Sequence, residues 1–338
     1  LIGIIISRTP FRISFLGGGT DYRPFFSEYG GSVISTAVNK YTTINISETD
    51  PLLGYRNQLI YRATEVFNSP DELKHPTARE ILKLTGIDGY QIIYYGDLPA
   101  RSGMATSSAF AVGLLNAAYT LKGVRLSPME LARLAIKVER ELCAEAGGMQ
   151  DQIISALGGF NRINFKTVDG ADKYDVAPLN ISRERKDFFL SHLMLFFTGT
   201  TRMSSAVAAD QVKNMNKRKK ELLEMLPLVD EGQKVLEGEG SVKDFGRLLN
   251  EAWALKRSFA DSVSTGDIDG IYEKAVKAGA LGGKILGAGG GGFMLIFAEP
   301  DKQPGVLAAL DGLTRVNFDF EDKGAEIIYN KAGRFYIC

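Results

Sequence analysis

Asp21, Glu139 and Asp151 lie beside or between three glycine-rich segments, and that pattern suits the handling of an anionic ligand. The first segment reads Pro10-Phe11-Arg12-Ile13-Ser14-Phe15-Leu16-Gly17-Gly18-Gly19-Thr20-Asp21-Tyr22. A strand runs into three glycines and then a carboxylate. Glycine lets the backbone approach a ligand closely. Asp21 can then accept hydrogen bonds from substrate hydroxyls. A tight turn with a capping aspartate accounts for the same residues equally well.

The second segment is Gly96-Asp97-Leu98-Pro99-Ala100-Arg101-Ser102-Gly103-Met104-Ala105-Thr106-Ser107-Ser108-Ala109-Phe110. Small residues feed an apolar helix. Free N–H groups and the positive end of the helix dipole make an anion site there. A hydroxyl at that point can also hold Mg²⁺, which prefers oxygen ligands. An ordinary Ser/Thr cap is the plainer alternative, but the long small-residue approach favours phosphate. No Gly-Lys-Ser/Thr follows at Walker A spacing. The third segment, Gly282-Gly283-Lys284-Ile285-Leu286-Gly287-Ala288-Gly289-Gly290-Gly291-Gly292-Phe293, has seven glycines in twelve residues. Flexible linkers are polar and serine-rich; this run is flanked by Leu286 and Phe293 and suits packing beneath a phosphate. Its nominal Gly-x-Gly-x-x-Gly leads into a strand, so a dinucleotide fingerprint does not apply.

Gly147-Gly148-Met149-Gln150-Asp151-Gln152 offers Asp151 as a general base for a substrate hydroxyl. Capping of the next helix explains it too, and from position alone is favoured. Glu139 lies roughly 60–80° from the centre of its helix's apolar stripe. It therefore flanks the buried face, where it can snorkel outward or meet a cation such as Mg²⁺.

These groups need a scaffold. Residues 4–15, 33–47 and 90–95 read as strands, and 109–121 as a buried helix. Ser127, Pro128 and Glu130 make a capping box before an apolar stripe of Leu131, Leu134, Ala135, Val138 and Leu142. Residues 180–186 are polar and suit a boundary. Beyond them, 190–197 reads as a strand, followed by helices at 207–225, 242–260 and 268–281. Strands at 293–298, 316–320 and 327–329 complete the reading. The absence of regular βαβ alternation indicates an α+β fold.

The chain has 338 residues, enough for two domains, with 40 basic and 40 acidic side chains. That balance argues against a nucleic-acid partner. Two histidines and two cysteines, Cys143 and Cys338, leave little for a His-rich metal site, a Ser-His-Asp triad or a disulfide framework. No apolar run reaches the roughly 20 residues a membrane span needs. Residues 1–6 read as a buried strand, not a signal peptide, so a cytoplasmic enzyme is expected.

The segments, in this order, resemble the GHMP kinases, a family that includes galactokinase, homoserine kinase, mevalonate kinase and phosphomevalonate kinase. The resemblance covers nearly the whole chain. It implies ATP and Mg²⁺, an N-terminal ATP-binding domain over 1–185 of the ribosomal S5 domain 2-like type, and a ferredoxin-like C-terminal domain over 186–338. It also implies a sugar or sugar-phosphate substrate, no nucleic-acid or membrane partner, and a monomer or homodimer. Residues 103–110 align with Gly-Leu-Gly-Ser-Ser-Ala-Ala-aromatic, so Arg101, Ser102, Gly103, Met104, Ala105, Thr106, Ser107 and Ser108 are expected at the nucleotide. Ser107 and Glu139 match the Mg²⁺ ligands. Asp151 matches the base or orienting aspartate, and Arg12 a basic residue beside it. Gly18, Gly19, Thr20 and Asp21 are expected at the sugar. One departure stands out: Ala105 replaces the family's second glycine, and Thr106 its first serine. Residues 10–22, 99–103 and Thr198-Gly199-Thr200-Thr201-Arg202 look like the D-glycero-D-manno-heptose 7-phosphate kinases. Those enzymes phosphorylate the anomeric hydroxyl on the route to GDP-heptose for surface glycans. Arg202 and Lys284 are then candidates for the substrate's phosphate. Rival readings are a kinase for another sugar such as fucose, a non-catalytic sugar sensor on the same fold, and a nicotinamide oxidoreductase.

Overall fold

The computed structural model describes residues 3–201 and 204–331. Along the first half run β1 (Ile4–Leu16), α1 (Arg23–Tyr29), β2 (Gly31–Glu48), β3 (Asn57–Ile60), β4 (Thr64–Phe67), α2 (Pro76–Thr85), β5 (Tyr90–Gly96), α3 (Thr106–Leu121), α4 (Pro128–Ile136), α5 (Gln150–Leu157), β6 (Phe160–Val168) and β7 (Ala171–Pro178). The second half contains α6 (Arg183–Ser191), β8 (Leu193–Phe197), α7 (Ser204–Asn214), α8 (Lys219–Glu237), α9 (Val242–Arg257), α10 (Gly266–Lys277), β9 (Gly282–Ile285), β10 (Phe293–Phe297), α11 (Gln303–Ala309), β11 (Thr314–Val316), β12 (Phe320–Glu321) and β13 (Glu326–Lys331).

Among the described residues, two sheets form. The larger is built on β2, an 18-residue strand that pairs with β1 along its length. Pro10 has no N–H for the ladder, and the register shifts there, so that Pro10 faces Tyr41 while Phe11 faces Val38. On either side of this break β2 changes its second partner. Its first half pairs with β6 and its second half with β5. Helices α3, α4 and α5 pack together, and α3 lies on β1 and β2. The smaller sheet has the order β11-β8-β10-β9, with every pair antiparallel. Read from β8, that is the fourth-first-third-second order of a ferredoxin-like unit, with helices after its first and third strands. Residues 320–331, expected with the C-terminal unit, pair instead with β1 and β2. No helix among the described residues is long and apolar enough to cross a membrane.

The capping box at Ser127 and Glu130 forms. The expected helix at 207–225 is two helices, α7 and α8. The second runs on to Glu237 despite Pro227, because Leu228, Val229, Val235 and Leu236 bury one face. The expected strand at 190–197 begins only at Leu193, after α6 ends. Strands β6 and β7 escaped the sequence reading. Their alternation is diluted by polar residues on the open face of an edge hairpin.

Candidate active site

The loop after β5 is shaped by close backbone contacts with the third glycine-rich segment. A Cβ on Gly103 would lie 2.4 Å from the Leu286 carbonyl oxygen, and one on Gly287 would lie 2.6 Å from the Gly103 Cα. Phe293 N–H donates to the Ser102 carbonyl at 3.1 Å. The third segment therefore braces the second directly, main chain against main chain.

Ala105 precedes α3 with φ 64° and ψ 29°, the left-handed region. It takes the backbone shape a glycine would take there and keeps the loop geometry at a steric cost. No side chain caps α3, so its first N–H groups face the loop mouth without intrahelical partners. Ser107 is exposed at this mouth, while Ser108 is buried beneath it. Replacing Ala105 with Gly is expected to raise stability by about 0.5–1 kcal/mol, because relief of strain exceeds the added unfolded-chain entropy. A denaturant midpoint that does not rise would contradict the strain.

Glu139 is held by an irregularity that sequence periodicity cannot show. After Ile136 the helix widens into a π-helical turn over Lys137–Leu142. Glu139 is 1% exposed, while Leu142 of the expected apolar stripe is 42% exposed. The Glu139 carboxylate accepts from Ser107 Oγ at 2.9 Å, Ser108 Oγ at 2.7 Å and Gln152 Nε2. It has no cationic partner among the described residues. A carboxylate and an exposed hydroxyl on one cavity wall are hard oxygen donors, and phosphate oxygens and water would complete a Mg²⁺ shell.

Asp151 lies in the first turn of α5, yet its side chain does not cap the helix. It pairs with Arg12 through two hydrogen bonds of 2.7 Å each. The third arm of Arg12, Nη1, donates to the Gly103 carbonyl at 2.7 Å. One guanidinium thus fixes the aspartate relative to the loop after β5. The Asp151 side chain keeps 24% exposure, enough for a hydroxyl to reach it.

Asp21 is 1% exposed and accepts from Gly19 N at 3.0 Å and Gln150 Nε2 at 3.1 Å. Burial, and then the nearby Asp151 charge, push its carboxyl above the ordinary carboxylate range. Gly148 leaves room for it. A Cβ there would lie 1.8 Å from Asp21 Oδ2. Arg140 Nε and Nη2 hold that turn through the Gly148 carbonyl, at 3.1 and 2.9 Å.

Arg12, Asp21, Ser107, Glu139, Gly148 and Asp151 line one cavity of about 680 Å³. Part of its wall is aromatic: the His75 ring lies tilted 4.7 Å from Phe110 and edge-on to Tyr61 at 5.2 Å. Burial lowers the His75 pKa, which favours the neutral ring.

Two family models match the chain. The model of the GHMP kinase N-terminal domain matches residues 71–159, and that of the GHMP kinase C-terminal domain matches residues 227–312. The chain belongs to the GHMP kinase family. It is an ATP-dependent kinase. It is 28% identical over 330 residues to a D-glycero-alpha-D-manno-heptose 7-phosphate kinase of Campylobacter jejuni, covering 90% of this chain and 93% of that protein. It is 25% identical over 336 residues to a galactokinase of Pyrococcus furiosus, covering 88% and 90%. A solved D-glycero-D-manno-heptose 1-phosphate kinase from Bacteriodes thetaiotaomicron superposes with a TM-score of 0.77 at 26% identity. That match covers 97% of this chain and 99% of that one.

Within this GHMP kinase, several expected residues line the cavity: Arg12, Gly18, Gly19, Asp21, Glu139 and Asp151. So do Arg101, Gly103, Ala105, Thr106, Ser107 and Ser108 of the loop. Four do not. Thr20 is fully buried, its Oγ1 2.8 Å from the Gly17 carbonyl and 3.0 Å from that of Ser32, so it ties the turn together. Met104 and Ser102 are fully buried; Met104 packs in the core and Ser102 meets the third glycine segment. Lys284 is 3% exposed and donates to the Phe15 carbonyl at 2.8 Å, so it presents no ammonium to the cavity. Arg202 lies outside the described residues. Sequence reasoning missed Lys256, Arg140, Gln150 and Gln152. Only the adjacency of Gln150 and Gln152 to Asp151 could have signalled the last two.

Filling the space at Gly148 tests whether Asp21 meets the acceptor. Gly148→Ala drives a methyl group into Asp21 and is expected to raise the acceptor KM about 10-fold or more, the equivalent of one lost hydrogen bond. ATP affinity should hold. An unchanged acceptor KM would show that Asp21 does not meet the acceptor.

Proposed function

We propose that the chain transfers the γ-phosphate of ATP to the anomeric hydroxyl of D-glycero-D-manno-heptose 7-phosphate, giving the 1,7-bisphosphate. The observation that carries this reading is the link from Asp151 through Arg12 to the Gly103 carbonyl. It fixes a carboxylate against the loop that faces the nucleotide phosphates. The substrate class follows the heptose-phosphate kinase relative, which matches over nearly the full length of both chains.

The α3 amides and Ser107 receive the phosphates, and the aromatic wall around His75 and Phe110 receives the base. Asp21 holds a sugar hydroxyl. Asp151 takes the proton of the anomeric hydroxyl as its oxygen forms a bond to the γ-phosphorus, and the bond from that phosphorus to the ADP oxygen breaks. The anomeric hydroxyl is more acidic than an ordinary alcohol, so a carboxylate base suffices. Ser107 and Glu139 would hold Mg²⁺, which supplies neutralisation of phosphate charge when bound. Arg12 orients Asp151 throughout.

ADP release over a panel of sugars and sugar phosphates tests the assignment. Turnover with heptose 7-phosphate and none with free hexoses is the expected result. Preference for galactose or fucose would move the substrate to that sugar, and no release with any acceptor would favour a sensor.

A further inference from the structure

Lys256 stands in the last turn of α9, 5% exposed, yet it lines the cavity at the end that holds Asp21 and Asp151. Its Nζ donates to the carbonyls of Ile285, at 3.4 Å, and Gly287. No carboxylate among the described residues lies within ion-pair distance of it. The charged groups facing it are Arg12 of β1, Asp21 after β1, Asp151 of α5 and Lys284 of β9. Arg12 is committed to Asp151, and Asp21 to the N–H groups of Gly19 and Gln150.

Lys256 is therefore a buried side chain with no carboxylate of its own among the described residues. An unbalanced buried ammonium is costly, and an entering anion offsets the cost. Lysine has three N–H donors, and two carbonyls engage two of them. The remaining donor belongs to a side chain on the cavity wall.

We propose that Lys256 is a phosphoryl-binding residue, its remaining N–H donating to phosphoryl oxygens at the acceptor end of the cavity. The inference rests on the kinase reading above. Two sources share the ligand chemistry: a phosphate already on the acceptor, and the group in transit from ATP. Burial, then the Arg12 charge, lowers the Lys256 pKa to about 8. The cation is thus present below that pH and lost as the pH rises through it.

The test compares wild type with Lys256→Met and Lys256→Arg. Binding of inorganic phosphate is measured by calorimetry. The kcat and KM are measured with one phosphorylated and one unphosphorylated acceptor, across pH. The Met variant should bind phosphate about 10-fold or more weakly, as expected for a lost charge-assisted hydrogen bond, with the Arg variant between. The alkaline fall in wild-type activity should move upward in the Arg variant. A raised KM for the phosphorylated acceptor alone marks the acceptor's phosphate; a lowered kcat with both acceptors marks the group in transit. Phosphate affinity, kcat and KM all unchanged in the Met variant overturn the inference. So do equal losses in the Met and Arg variants accompanied by a lower Tm, since Lys256 would then only brace the Gly287 carbonyl. If wild type phosphorylates no acceptor, the kinase reading fails. The phosphate titration still decides Lys256, and wild type that binds no phosphate sinks it.

Discussion

Asp151→Asn is expected to lower kcat by about 10²-fold or more while ATP binding is retained. The amide keeps the shape of the carboxylate but cannot take a proton from a hydroxyl. It also offers Arg12 one acceptor oxygen in place of two, where the native pair has two hydrogen bonds of 2.7 Å. Arg12 keeps its hold on the Gly103 carbonyl, so the loop after β5 should not move. Single-turnover kinetics with saturating ATP and acceptor isolate the chemical step. Turnover near the wild-type rate would remove Asp151 from the chemistry. Loss of ATP affinity would instead show that the Arg12 link supports the loop and not the transfer.

Glu139→Gln should produce the second large effect, and it is read without turnover. The native carboxylate accepts from Ser107, Ser108 and Gln152. Glutamine brings one acceptor oxygen and sets its amide N–H groups against those donors. The charge that would attract a divalent ion is lost as well. Calorimetry should show Mg²⁺-dependent ATP binding weakened about 10- to 100-fold, while ATP binding in EDTA stays near wild type. Equal affinities for both forms with Mg²⁺ present would take Glu139 away from the ion. Equal weakening with and without Mg²⁺ would mean that the glutamate only orders the start of α3.

Much of the site was legible in the sequence, because some chemistry requires particular residues in local order. Small residues leading into an apolar helix leave its first N–H groups uncapped, and those of α3 are uncapped. The Ser127 capping box and the strand character of β1 and β2 are also local, and they form as expected. The two readings left open at Asp151 could not be separated that way. A cap and a base share the same position after Gly147-Gly148, and only the approach of Arg12, 139 residues away in the chain, sets the cap aside.

What the sequence by itself determined is which backbone segments line the cavity. Glycine, serine and threonine at those spacings restrict the main chain through short-range sterics and hydrogen bonding. What only the tertiary structure decided is which side chains point into the cavity. Glu139 turns fully inward because a π-helical turn breaks the 3.6-residue period on which any helical wheel depends. Thr20 and Lys284 turn away because carbonyls of Gly17, Ser32 and Phe15 claim them. Lys256 enters because α9 ends against the third glycine segment. Each outcome depends on partners distant in sequence, and a buried polar group goes where its hydrogen bonds can be met.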